Sequence, residues 1–383
     1  MKNRAVKTVL AVSMAAAVVM GNASPAAQVQ AAGTESAGAE SSAELIPVPK
    51  EMSADGTELT VTDAVNIAGA EEADADAVRD LREFLDANGI TVNEQADEAD
   101  TTFILGEADD EIPALEDAKD RLSMSGADGL GDEGYVLNVD PGDSAGGTIV
   151  IEGKDGDGTF YGVQTLRQLA EVRDGKTVIA SAEITDEPTM SVRGTIEGFY
   201  GNPWSHEDRI SQIEFYGDMK MNTYIYAPKD DPYHREQWRE PYPSSEMERM
   251  QELIDVSKEN KVDFVFALSP GIDIQFDGDA GESDYQALVA KCQSLYDMGV
   301  RSFAIFFDDI SNKDGVKQAE LLNRFNKEFI QEKGDIKPLI TVPTEYDSNA
   351  MGVASTVSAY TTDFAGTLAV SYTHLRAHET AAN

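Results

Sequence analysis

From Met190 onward the chain alternates short apolar runs with amphipathic helical stretches, and few folds accommodate that rhythm. Residues 192–196, 223–227, 264–268, 303–307 and 339–342 read as five strands, each short, apolar and bounded by polar or turn residues. The intervals carry helical signals. Ser205 is placed to cap a helix running to about residue 220, and Ser245 with Glu248 forms a capping-box pattern ahead of Met247, Met250, Leu253 and Ile254 on one face. Tyr285, Leu288, Val289, Cys292, Leu295 and Tyr296 follow helical spacing, with Gly299 where a C-terminal cap glycine belongs. A further helix runs through Leu322, Phe325 and Phe329. Such alternation predicts parallel β/α units, either an open doubly wound sheet or a (β/α)8 barrel. No glycine-rich phosphate turn follows the first strand, which counts against the dinucleotide-binding sheet. Polar and aromatic residues collect directly after every strand, as a barrel with its active site at the C-terminal face requires.

The fold class predicted is therefore α/β, a (β/α)8 barrel with about five strands present, preceded by a small α+β domain over residues 45–187. That first domain reads as short β-type runs at 59–62, 102–105, 135–139 and 148–151, helical stretches at Ala75–Ala87 and at 163–172, and a β-turn at Asp155-Gly156-Asp157-Gly158. The barrel portion is set at 188–368. Residues 1–31 have the form of a removed signal peptide: Lys2, Arg4 and Lys7 precede a short apolar run, and Val29-Gln30-Ala31 offers a small-residue cleavage site. Residues 32–44, rich in Ala, Ser, Gly and Glu, read as a linker. No later stretch is long and apolar enough to span a membrane, so the expectation is a secreted or cell-surface protein. Residues 369–383 read as a tail foreign to the domain, resembling translated sequencing-adapter read-through. His374 and His378 within it carry no third ligand and no metal-site pattern.

Acidic residues outnumber basic ones by 70 to 30, a formal charge of −40. A surface of that sign cannot neutralise phosphates, which excludes nucleic acid as a partner and argues against a polybasic membrane contact. The single cysteine, Cys292, lies on the apolar stripe of its helix and reads as a buried thiol rather than a nucleophile.

The sharpest chemical feature is Asp308-Asp309, placed directly behind the apolar run Phe303-Ala304-Ile305-Phe306-Phe307. Two carboxyl groups side by side at a barrel mouth oppose each other's charge, and one that keeps its proton can serve as a general acid. The bland alternative is a hydrated acidic turn. Lys229, among Asp230, Asp231 and Pro232, is either a solvated salt-bridge partner or a donor to a ligand hydroxyl. Tyr200 and Tyr346 are core-edge aromatics or sugar contacts, and Trp204 and Trp238 divide between stacking on a sugar and packing. His206 belongs to the first turn after Ser205, and His234 has no partner pattern. No Ser/His/Asp set, zinc spacing or P-loop is present in the sequence.

Several of these strand-end segments resemble glycoside hydrolase family 84. Arg193-Gly194-Thr195-Ile196-Glu197-Gly198-Phe199-Tyr200 is similar to its opening strand, and Tyr226-Ala227-Pro228-Lys229-Asp230-Asp231 to its second. Ser269-Pro270-Gly271, Phe307-Asp308-Asp309-Ile310 and Pro343-Thr344-Glu345-Tyr346 extend the likeness in the same order, over roughly residues 190–346. The resemblance implies a retaining exo-β-N-acetylglucosaminidase that uses the substrate's own acetamido oxygen as nucleophile, without metal or cofactor. It implies that Asp308 accepts the acetamido N–H and that Asp309 is the general acid and then base. It further implies that the Gly198 backbone and Lys229 meet sugar hydroxyls, and that Tyr346 meets the acetamido group or leaving oxygen. The partners implied are GlcNAc-containing glycans or glycoproteins.

A closed barrel needs eight strands and typically about 250 residues, so the 383-residue chain reads as C-terminally truncated, and is expected to fold poorly and lack activity as written. Two other readings stay open at this point. One is a non-catalytic glycan-binding protein on the same fold, in which the acid pair has no required role. The other is the related family 20 mechanism, which uses Asp-Glu where this chain has Asp308-Asp309.

Overall fold

A computed structural model describes residues 45–93, 100–142, 146–352, 356–369 and the backbone of 373–374. The expected signal peptide and linker, and most of the expected tail, lie outside these residues.

The first half is built on a seven-stranded mixed sheet in the order Glu51–Ser53, Glu183–Asp186, Tyr135–Asp140, Gly147–Gly153, Thr101–Glu107, Ala64–Ala68, Thr91–Val92. Side chains alternate across its two faces. Phe103, Leu105, Ile149 and Ile151 point to the face covered by the helices Ala75–Ala87 and Gly156–Leu169. Ile104 and Val150 point to the other, under the helix Pro113–Leu122. The expected turn at 155–158 is instead the first turn of the second helix. Asp155 caps it by accepting from the Gly158 N–H, and Gly158 is pressed so close to the Gly134 carbonyl that an added Cβ would sit 2.0 Å from it. That helix stops at Leu169, and residues 170–173 leave it to form the strand Ala170–Arg173 of a small antiparallel sheet with Lys176–Ala180 and Glu58–Thr60.

The second half contains a curled parallel sheet: β1 (Gly194–Glu197), β2 (Thr223–Tyr226), β3 (Asp263–Leu268), β4 (Ser302–Phe306), β5 (Ile340–Val342) and β6 (Thr373–His374), in sequential order. Five of these are the strands read from the sequence. The sixth is a two-residue strand, recognisable only by its pairing with β5. The helices are α1 (His206–Asp218), α2 (Ser244–Glu259), α3 (Gly278–Asp297), α4 (Gly315–Phe325) and α5 (Ala359–Thr367). Helix α4 continues through a π-helical turn at Asn326–Ile330 that carries Phe329 into the core. The parallel register pairs Ile225 with Val265 and Ala304 with Ile340, which line the concave face together with Ala227, Ala267 and Phe306. The alternating residues Tyr224, Tyr226, Phe264, Phe266, Phe303 and Ile305 pack outward into the main core. Aliphatic residues with three alanines and one phenylalanine fill the inner face and mostly aromatic ones the outer, the arrangement of a partial barrel.

The expected Ser205 cap forms, with its hydroxyl accepting from the Asp208 N–H. Gly299 ends α3 at φ +111°, a conformation that favours glycine. The capping box at Ser245 and Glu248 does not form: α2 starts two residues earlier, behind Pro243, whose ring provides the fixed φ but no side-chain acceptor. Among the described residues no helix is long and apolar enough to cross a membrane.

Candidate active site

The five segments picked out after the strands converge at the C-terminal edge of the curled sheet, as successive parallel strands must deliver them. Asp308 and Asp309 follow β4 by way of Phe307, which is fully buried and whose N–H donates to the Val342 carbonyl at 2.8 Å. The two aspartates then diverge. Asp308 is partly buried, and its Oδ2 accepts from Lys229 Nζ at 2.6 Å, while Oδ1 is buried without a partner among the described residues. Asp309 is exposed and adopts φ +56°, a left-handed conformation that Asp tolerates better than most residues. Its carboxylate accepts from Tyr200 Oη at 3.1 Å and from Tyr346 Oη at 3.3 Å. Consecutive residues thus present one carboxylate inward to a lysine and one outward to two phenols. The Tyr346 hydroxyl is shifted up by desolvation and by the nearby Asp309 charge, so it stays a donor.

Lys229 owes its place to Asp231. The Asp231 Oδ2 atom accepts from Tyr226 Oη at 2.7 Å and Tyr242 Oη at 2.8 Å, and Oδ1 takes the Tyr233 N–H at 2.8 Å. Both phenols are raised well above their ordinary range, chiefly by burial, and remain protonated donors. This buried knot fixes the loop after β2, and Lys229 N–H joins it to the loop after β1 through the Phe199 carbonyl at 3.2 Å. Gly198 is the half-buried link directly before Phe199, at the site's edge. Behind β3, Gly271 lets Ile310 approach so closely that an added Cβ would lie 2.6 Å from Ile310 Cδ1, which seats the segment following Asp309.

Other sequence candidates fall outside the site. Trp238 is fully buried, with its indole N–H on Asp273 at 2.9 Å, and serves the core. Trp204 is half-buried against Phe199. Glu345 turns away to Lys313, Ser358 and Thr361, tying down the start of α5, and the Thr344 N–H donates to Tyr360 Oη at 2.8 Å. His206 does open α1, where it meets Glu252 at 2.7 Å. Cys292 is buried and its thiol is pushed up to about 12 by burial, as a structural thiol should be. Among the described residues no three His, Cys, Asp or Glu side chains are grouped to hold a metal.

Three residues near the site were given no role from the sequence. Glu197, fully buried, accepts from both Arg209 Nε and Nη2 at 2.8 Å, from Tyr224 Oη and from the Trp204 N–H, and so holds the loop after β1. His234 is fully buried and donates from Nδ1 to the Ala267 carbonyl at 2.8 Å. Arg235 donates to Tyr200 Oη at 2.7 Å and to the Asp309 carbonyl at 2.9 Å.

The family model described as "beta-N-acetylglucosaminidase" matches residues 193–374, and that described as "Glycosyl hydrolase family 20, domain 2" matches residues 42–187. Protein O-GlcNAcase of Rattus norvegicus is 36% identical over 160 residues, 40% of this chain and 17% of that protein. The solved structure of CpGH84B superposes with a TM-score of 0.78 at 48% identity, covering 87% of this chain and 56% of that one. CpGH84D gives 0.74 at 28% identity, covering 88% and 55%. The chain therefore spans about a sixth of its curated relative and a little over half of each solved chain.

Proposed function

This chain is a member of glycoside hydrolase family 84, and from that premise we propose that the protein is a retaining exo-β-N-acetylglucosaminidase acting on GlcNAc-containing glycans or glycoproteins by substrate-assisted catalysis. The acetamido oxygen of the bound sugar attacks the anomeric carbon as the glycosidic bond breaks, forming an oxazoline. Asp308 accepts the acetamido N–H and balances the positive charge that develops there. Asp309 gives its proton to the leaving oxygen, then takes one from the water that opens the oxazoline. No protein nucleophile is needed, so the two carboxyl groups are neighbours rather than facing each other across the sugar.

The observation that carries this reading is the division between the adjacent aspartates: Asp308 turned in to Lys229, Asp309 turned out to Tyr200 and Tyr346. The first suits a charge-stabilising role and the second a proton transfer to an incoming group. Gly198 and Lys229 are the proposed contacts to sugar hydroxyls, and Lys229 keeps two ammonium hydrogens beyond the one given to Asp308. Tyr346 is proposed to meet the acetamido group or leaving oxygen. Export, read from residues 1–31, would bring the enzyme to glycans outside the cell.

The chain spans only part of the length of its relatives, and the activity is proposed for the whole protein. The test compares that protein with its Asp309→Asn variant on an activated aryl and an unactivated alkyl β-GlcNAc glycoside. We expect GlcNAc release with retained β configuration, and a loss of about 10²-fold or more in the variant on the alkyl glycoside, with a much smaller loss on the aryl one. Sugar binding without hydrolysis of either glycoside would overturn the reading in favour of a glycan-binding protein.

A further inference from the structure

The exposed Asp309 sits in the turn after β4 in a left-handed conformation that is uncommon for a residue with a side chain. A four-residue turn can place this position at negative or at positive φ, and contacts from outside the loop bear on which of the two Asp309 adopts. The one protein cation hydrogen-bonded to Asp309 among the described residues is Arg235, and it bonds the main chain rather than the carboxylate: Nη2 donates to the Asp309 carbonyl at 2.9 Å. Its other arm, Nη1, donates to Tyr200 Oη at 2.7 Å, and the guanidinium carbon lies 5.4 Å from the Tyr200 ring centroid. The phenol in turn donates to Asp309 Oδ2 at 3.1 Å. The contacts close a circuit from guanidinium to phenol to carboxylate and back through the backbone of the same aspartate. A rotation of Asp309 toward the right-handed region would re-aim its carbonyl and its carboxylate together, and would break both ends of the circuit.

Arg235 is itself held firmly. It is 7% exposed. The preceding His234 is anchored to β3 by its imidazole on the Ala267 carbonyl at 2.8 Å and by its own carbonyl, which accepts the Ser269 N–H at 3.0 Å. Three residues on, Trp238 is fully buried and bonded to Asp273. A planar guanidinium with two fixed donor arms suits this bridging task, and an ammonium cannot span both acceptors in the same plane.

We propose that Arg235 is a positioning residue for the acid, holding Asp309 in its left-handed conformation so that the carboxyl faces the leaving oxygen. The inference rests on the proposed hydrolase reading, and its test separates the two. Arg235→Met, Arg235→Lys and Tyr200→Phe are measured with Asp309→Asn on the aryl and alkyl glycosides, in the protein expressed from its whole gene. If Arg235 aims the acid, Arg235→Met loses about 10²-fold in kcat on the alkyl glycoside and only a few-fold on the aryl one, following Asp309→Asn. Arg235→Lys should fall between wild type and Arg235→Met, and Tyr200→Phe, which removes the phenolic link, should share the leaving-group bias. Equal losses on both substrates, or none, would overturn the proposal while leaving the hydrolase reading intact if Asp309→Asn still discriminates. If Arg235→Met does not fold, the Lys and Phe variants decide by the same split. If wild type hydrolyses neither substrate, the hydrolase reading fails, and the positioning role is judged by the ¹³Cα and ¹³Cβ shifts of Asp309. These must leave the left-handed range in Arg235→Met, or in Arg235→Lys should Met not fold, for the role to stand.

Discussion

Lys229 Nζ sits 2.6 Å from Asp308 Oδ2, bridging the ends of β2 and β4 across β3. The lysine side chain is only 2% exposed and the aspartate 18%, so neither charge has much water to fall back on. Removing one partner from a pair this buried leaves an uncompensated charge, a loss of order 3 kcal/mol. We expect Lys229→Met to lower unfolding free energy by about that amount in urea titration, and Asp308→Asn to do likewise. The double variant should be no less stable than the worse single one, because each substitution relieves the other. Strictly additive losses would show that the two side chains are independent in solution.

The loop after β1 depends on a second buried carboxylate. Glu197 is fully buried and takes two hydrogen bonds from Arg209, one from Tyr224 and one from the Trp204 N–H. Arg209 also lies 4.9 Å from the Tyr226 ring centroid, and, against the effect of burial, its hydrogen-bonded ion pair with Glu197 holds it charged. Arg209→Met keeps much of the packing volume but strands Glu197, so a loss of about 3–5 kcal/mol is expected by chemical denaturation. Glu197→Gln should be milder, since the amide can still accept from one donor. A variant Arg209→Met as stable as wild type would mean that the carboxylate finds water or a proton at little cost.

The alternation of apolar strands and amphipathic helices was legible because burial imposes it: each strand has helices on one side and the concave face on the other, so even its short runs are apolar throughout. The strand-end acids were legible for the same reason, since Asp308 follows six buried residues, Ser302 to Phe307, and can only emerge at the sheet's edge. What stayed hidden depends on contacts far apart in the chain. Strand β6 has two residues and exists through its pairing with β5. The turn at 155–158 became helical because Gly158 packs on Gly134, a contact across 24 positions. Lys229 could be read from the sequence as a salt-bridge partner, but its choice of Asp308, 79 residues away, rather than its neighbours Asp230 and Asp231 could not. Asp231 is already occupied by two phenols, and Asp230 faces solvent and takes the Gly201 N–H.

His234 provides a pH signature for this packing. Burial lowers its pKa from the ordinary 6.5 to about 4; the Ala267 carbonyl and the charges of Asp231 and Asp308 oppose that shift, and Lys229 adds to it. The fold therefore holds the neutral imidazole. Above about pH 6.5 both folded and unfolded chains carry it neutral, and its contribution to stability is fully present. As the pH falls from 6.5 toward 4, the unfolded chain takes up a proton that the folded one refuses. Stability then drops by as much as about 1.4 kcal/mol per pH unit, and levels off below 4. His234→Gln can keep an amide N–H for the Ala267 carbonyl but has no proton to gain. Subtracting its urea-unfolding free energy from that of wild type at each pH cancels the carboxylates common to both. The difference should be flat from pH 8 to 7 and should turn steadily against wild type from pH 6.5 to 4. Parallel curves through that window would mean that the imidazole titrates as freely in the folded protein as in the unfolded chain.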